Sequence, residues 1–219
     1  MIRAVLSDMD GTLFDSEYFY MSGTVDQMRQ YGYTGEEKEI YRILGTDMEG
    51  TYRILHELLE GKVPYETIVK NNEYYFGTLH PIDYRAIMFK DVPKGLKKLK
   101  EDGLKLAVCS SSPKETIQES LQAMGILEYF DYIVSSDEVD RPKPAPDVYL
   151  KACEMLGVKK EECIVYEDAA MGIEAGKNAG MTTIARRDDR FGQDQSRADS
   201  IVNDMTAFVQ YVEKENGYR

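Results

Sequence analysis

The sequence predicts an α/β fold, a doubly wound parallel sheet interrupted by a helical insert. Three observations predict it. Short apolar runs at 2–6, 104–109, 132–134, 163–166 and 181–185 recur between segments of helical period, the alternation that a parallel sheet with crossover helices requires. Three of those runs end in side chains suited to chemistry: Asp8-Met9-Asp10, Ser110-Ser111-Ser112 and Glu167-Asp168. Ligands of open α/β sheets bind just beyond the carboxyl ends of the strands. Finally, residues from about 17 to 80 hold no convincing strand pattern, so an all-helical module is inserted after the first strand.

The chain enters its first strand at once through Ile2, Ala4, Val5 and Leu6, a short buried run. Gly11 lets the backbone turn sharply off the strand end. Helical patterns then cover 17–31, 36–44, 47–59 and 65–79, punctuated by Gly45, Gly61 and Pro64. A short amphipathic helix over 92–101 turns its lysines to solvent, and Gly103 ends it. A strand at 104–109 leads to a helix at 113–124 with Pro113 in its first turn. A strand at 132–134, a helix at 147–156, a strand at 163–166 and a helix at 169–178 follow. Short strands at 181–185 and 200–202 precede a last helix over 204–215, capped by Asp204. The result is a Rossmann-like core made of residues 1–14 and 83–219, with residues 15–82 as a separate helical domain. Linkers near residue 15 and at 82–90 are the expected hinges.

A chain of 219 residues with 42% hydrophobic content can bury such a core. Its net charge of -12 excludes nucleic-acid binding, which needs a basic surface. No stretch is long enough to cross a membrane, and the N-terminus does not read as a signal peptide. Three unclustered cysteines, Cys109, Cys153 and Cys163, read as reduced, buried thiols. The expected location is the cytoplasm, and the expected state is a monomer.

Two carboxylates one residue apart, Asp8 and Asp10, suit two tasks. One can attack an electrophile while the other handles a proton, and a hard cation can hold both near a phosphate. The serines at 110–112 sit before a helix start, where backbone N–H groups favour an anion. Lys143 lies in the stiff run Arg141-Pro142-Lys143-Pro144, and Glu167-Asp168 adds two more acids at a strand end. This order of strand-DxD, strand-Ser, loop-Lys and strand-ED, over essentially the whole chain, resembles the haloacid dehalogenase superfamily. Within it the chain resembles the beta-phosphoglucomutase-like and sugar-phosphatase subgroup.

The resemblance implies a four-helix cap formed by the insert. It implies Asp8 as nucleophile, Asp10 as general acid and base, and Ser110 with the Ser111 N–H on the phosphoryl oxygens. Lys143 would bridge Asp8 and the phosphoryl group. Mg2+ would be held by Asp8, the Asp10 carbonyl and Asp168, with Glu167 joining directly, through water or from outside. Arg141 reads as a surface residue; Asp15 and Glu17 read as hinge or capping residues. An acid at position 10 favours phosphate monoesters over carbon–halogen or carbon–phosphorus bonds.

Mutase-type members carry a His where this chain has Tyr20 and an Arg near Met48, which stands in the loop Gly45-Thr46-Asp47-Met48-Glu49-Gly50. Losing that Arg removes a fork for a second phosphate. The expected function is therefore a Mg2+-dependent phosphatase for a small sugar or polyol phosphate, with Tyr20 as a candidate substrate contact. The alternatives are a phosphotransferase of the beta-phosphoglucomutase type and a non-catalytic binding protein on the same fold.

Overall fold

The computed structural model describes residues 1–44, 46 and 48–217. Gly45 and Asp47 of the loop just named lie outside the described residues. The chain divides into two compact units, Met1–Asp15 with Tyr84–Arg219, and Ser16–Asp83. No helix among the described residues is long and apolar enough to cross a membrane.

The larger unit is the parallel, doubly wound sheet that the sequence predicts. Its strands are β1 (Ala4–Ser7), β2 (Lys105–Ser110), β3 (Tyr132–Ser135), β4 (Cys163–Glu167), β5 (Thr182–Arg186) and β6 (Ser200–Val202). The order across the sheet is β3-β2-β1-β4-β5-β6, with every pairing parallel. The order reverses between β1 and β4, and such a switch point opens a crevice at the strand ends. Ser7 pairs with Val108 on one side and Tyr166 on the other. The register therefore sets Asp8 level with Cys109 and Glu167.

The strands are short and apolar on both faces because helices cover both. On one face Ala4, Leu6, Ala107, Cys109 and Val165 pack with residues of the helix Asp147–Leu156, including Val148 and Ala152. On the other face Tyr166 stacks on Phe208 at 4.1 Å between ring centres. Burial of each large side chain of this kind contributes about 1.5–3 kcal/mol.

The helical unit contains α1 (Ser16–Gln30), α2 (Glu37–Ile40), α3 (Met48–Leu58) and α4 (Tyr65–Tyr74). The helix expected over 36–44 is shorter than its pattern. It passes into a 3-10 turn at Tyr41–Ile43, and the Thr46 N–H and hydroxyl both close on the Ile43 carbonyl. The pattern at 65–79 is one α-helix ending in a π turn at Tyr75–Leu79, which sets Tyr75 edge-on to Phe76. A cavity of about 410 Å³ lies within this unit, lined by Glu17, Tyr20, Met48, Tyr52, Glu73 and Phe76 among others.

In the larger unit α5 (Tyr84–Ile87) occupies the expected linker, a single turn too short to leave a periodic signal. The helices α6 (Val92–Glu101), α7 (Lys114–Met124), α8 (Asp147–Leu156), α9 (Ala170–Asn178) and α10 (Met205–Asn216) follow. Pro113 is not in the first turn of α7 as expected. Its ψ of 146° keeps it extended at the N-cap, where the Ser110–Ser112 turn delivers the chain. Asp204 caps α10 as expected, its carboxylate accepting from the Ala207 N–H at 2.8 Å.

Candidate active site

The ends of β1, β2 and β4 and the loop before α8 bring four of the expected residues together. Lys143 Nζ donates to Asp8 Oδ1 at 2.6 Å, to Glu167 Oε1 at 2.8 Å and to the Cys109 carbonyl at 3.0 Å. One ammonium thus ties together three neighbouring strand ends. The Lys143-Pro144 peptide is cis. Asp8, Lys143, Glu167 and Asp168 are all buried.

Burial pushes the Asp8 carboxyl up to about 8; Lys143 opposes this, while Glu167 and Asp10 add to it. Burial also disfavours the charge on Lys143, but Asp8 and Glu167 outweigh it and hold the ammonium well above the ordinary lysine value.

Glu167 is held on every side. Its Oε1 accepts from Lys143 and from the Tyr149 hydroxyl at 3.2 Å, and its Oε2 accepts from the Asp168 and Ala169 N–H groups at 2.8 and 2.9 Å. Those four donors match the acceptor capacity of a carboxylate. A Cβ at Gly172 would overlap this carboxylate, so α9 needs glycine there. Asp168 Oδ1 accepts from the buried Thr12 hydroxyl at 2.8 Å. The main-chain carbonyl of Asp168 accepts from Gln195 Nε2 at 2.7 Å. Gly11 approaches the Asp168 carboxylate too closely for a Cβ, at a φ of 74° that also favours glycine.

The remaining expected residues are placed as follows. Asp10 Oδ2 accepts from the Ser112 hydroxyl at 3.2 Å. Ser110 is buried, and its oxygen accepts from the Ser112 N–H at 3.1 Å. Ser111 is exposed. Arg141 is a surface residue as expected, forked onto Asp147 at 2.7 and 3.1 Å. Asp15 pairs with Arg190 through two 2.8 Å bonds. Tyr20 lies in the other unit, on its cavity, edge-on to Phe76. Three contributors carry no role in the sequence reading, Thr12, Tyr149 and Gln195, and Ser112 enters it only as part of the serine run. Thr12 and Ser112 stand inside the motifs themselves, one and two residues past a named position; Tyr149 and Gln195 left no signal.

The acids suit a hard cation. Asp8, Glu167 and Asp168 each offer a carboxylate oxygen, and these lie within 4.8 Å of one another. An all-oxygen donor set fits Mg2+ or Ca2+. Because Glu167 already accepts four hydrogen bonds, Asp8 and Asp168 are the acids better suited to a metal.

Residues 5–186 match the family described as haloacid dehalogenase-like hydrolases. The chain is 33% identical over 188 residues to a phosphorylated carbohydrates phosphatase of Thermotoga maritima, covering 84% of each protein. It is 33% identical over 185 residues to a pyrophosphatase of Halalkalibacterium halodurans, covering 83% of this chain and 82% of that protein. In fold it is similar to a HAD family hydrolase of Deinococcus radiodurans solved with phosphate and sodium, at a TM-score of 0.84 and 24% identity, covering 98% and 96% of the two chains.

Proposed function

The chain belongs to the haloacid dehalogenase-like hydrolases and is a phosphatase of phosphorylated substrates, and we propose that it hydrolyses a small sugar or polyol phosphate through a phosphoryl group carried on Asp8. The observation that carries this reading is the convergence of Asp8, Glu167 and the Cys109 carbonyl on Lys143, with Asp168 alongside. A relative that acts on phosphorylated carbohydrates supports the substrate class.

In this reading an Asp8 oxygen bonds to phosphorus as the ester P–O bond breaks, splitting one hard displacement into two. Asp10, steadied by Ser112, gives its proton to the departing alcohol oxygen. Asp10 then takes a proton from the water that attacks the same phosphorus, freeing Asp8 and inorganic phosphate. Ser110 and the Ser111 N–H donate to phosphoryl oxygens. Lys143 offsets the charge that gathers there. Glu167 and Tyr149 hold Lys143 in place. Mg2+, bound by Asp8, Asp168 and the Asp10 carbonyl, would supply further neutralisation of phosphoryl charge.

The phosphotransferase alternative needs a cationic grip on a second phosphate. The loop Gly45-Thr46-Asp47-Met48-Glu49-Gly50, where mutase-type members carry such an Arg, holds no cationic side chain, which favours the phosphatase. The test is phosphate release from a panel of sugar, polyol and nucleotide monophosphates with Mg2+. Release by wild type and none by Asp8→Asn supports the reading. No release from any ester, or release only with a bisphosphate activator, contradicts it.

A further inference from the structure

Two thiols touch in the larger unit, away from the reacting groups. Cys153 Sγ and Cys163 Sγ are 3.2 Å apart. Both are free, and they are 6% and 3% exposed. The phosphatase chemistry uses neither. The connection between them is short and tied: it turns at Gly157 with a φ of 63°, and the Val158 N–H closes on the Cys153 carbonyl at 3.1 Å. The Lys159 N–H donates to Glu162 at 3.0 Å. This holds the two sulfurs together.

The pair shares its supports with the active site. On α8, Tyr149 and Cys153 are one helical turn apart on the same face. On β4, Cys163, Val165 and Glu167 alternate onto one face. Tyr149, Cys153, Cys163 and Val165 belong to one buried cluster. Helix and strand therefore meet at two rungs: the thiol pair, and the Tyr149 hydroxyl on Glu167, which in turn holds Lys143.

We infer that Cys153 and Cys163 form an oxidation site, closed to an intramolecular disulfide by an oxidised low-molecular-weight disulfide such as oxidised glutathione, and that closure lowers turnover through Tyr149, Glu167 and Lys143. One protein thiol loses its proton to water and attacks the oxidant, whose S–S bond breaks and releases one small thiol. The second protein thiol, deprotonated in turn, attacks the protein sulfur of that mixed disulfide and releases the second small thiol. Two protein thiols are oxidised and one small disulfide is reduced to two thiols. A disulfide bond of about 2.05 Å requires the sulfurs to draw together by about 1 Å. That movement pulls α8 against β4, one turn from Tyr149. Displacements of about 1 Å near a site can cost about a hundredfold in rate. Cys109, with no exposed surface, keeps its thiol.

The test treats wild-type protein with oxidised glutathione and reads intact mass, the thiol count in denaturant, a peptide map and turnover. The expected result is a fall from three thiols to one, a linked Cys153–Cys163 peptide without a glutathione adduct, and a loss of turnover of about tenfold or more that dithiothreitol reverses. Cys153→Ser should keep the turnover of the reduced wild type and resist the oxidant. Three surviving thiols, a persistent adduct, unchanged turnover after closure, or equal inhibition of Cys153→Ser would each overturn the inference. The turnover readout rests on the phosphatase reading. Mass, thiol count and peptide map do not, and they decide closure in the wild type even if the variant fails to fold.

Discussion

Lys143 Nζ lies 2.6 Å from Asp8 Oδ1 across 135 residues of sequence, both side chains buried. The contact joins the end of the first strand to the proline-bounded loop before α8. A buried ammonium this close to a carboxylate is unfavourable to create but costly to break.

Removal of that ammonium should therefore be felt twice. Lys143→Met should lower turnover by about 10²–10³-fold, the cost of losing one preorganised charge at developing phosphoryl charge. In metal-free protein above pH 8 it should also destabilise the fold by about 3–5 kcal/mol, because Asp8 and Glu167 lose their buried partner. Steady-state kinetics and urea unfolding measure the two effects. Wild-type turnover in the variant would contradict the assignment.

Metal binding should depend on pH with a defined sign. The Asp8 carboxyl sits at about 8 in the metal-free protein, so below that pH a cation must displace a proton. Mg2+ affinity should weaken by about tenfold for each pH unit below 8 and level off above it. The same shift raises the carboxyl in the folded state above its unfolded value. Its contribution to metal-free stability is therefore greatest in acid and is lost as the pH rises from about 4 to about 8. Calorimetric titration at pH 6, 7 and 8 checks the slope; a flat profile counts against it.

Thr12 should matter through Asp168. Thr12→Val keeps the shape of the buried side chain and removes the donor to Asp168 Oδ1. Loss of such an outer support typically costs about 10–100-fold in metal affinity. Unchanged Mg2+ affinity in Thr12→Val would remove Thr12 from the site.

Gly172→Ala tests the packing behind Glu167. The added methyl would overlap the Glu167 carboxylate, which must then shift from Lys143 or Tyr149. Overpacking of this kind costs about 1–3 kcal/mol, and turnover should fall with stability. A variant with wild-type melting temperature and turnover would show that α9 yields without disturbing Glu167.

Much of this was legible in the sequence because the motifs stand at strand ends. Asp8, Asp10, Ser110, Glu167 and Asp168 each stand at the end of an apolar run and Lys143 stands between two prolines, and a parallel sheet brings strand ends to one edge. The supporting residues were less legible. Tyr149 and Gln195 look like any helix and loop residue, and only the fold brings them to Glu167 and Asp168. The serine run marked the turn expected to hold phosphate, yet Ser112, not its neighbours, reaches Asp10. Short elements also escaped: α5 is a single turn, and the helix expected over 36–44 tightened into a 3-10 turn where Thr46 takes its last carbonyl.

The most direct test of the central claim is a pre-steady-state measurement on Asp10→Asn with p-nitrophenyl phosphate and Mg2+. Its leaving group needs no proton, so transfer to Asp8 proceeds while hydrolysis, deprived of its base, stalls. A burst of one nitrophenolate per enzyme, with a phosphoryl adduct on the peptide bearing Asp8, is the expected result. No burst, an unmodified Asp8 peptide and an Asp8→Asn variant as active as wild type would contradict the account.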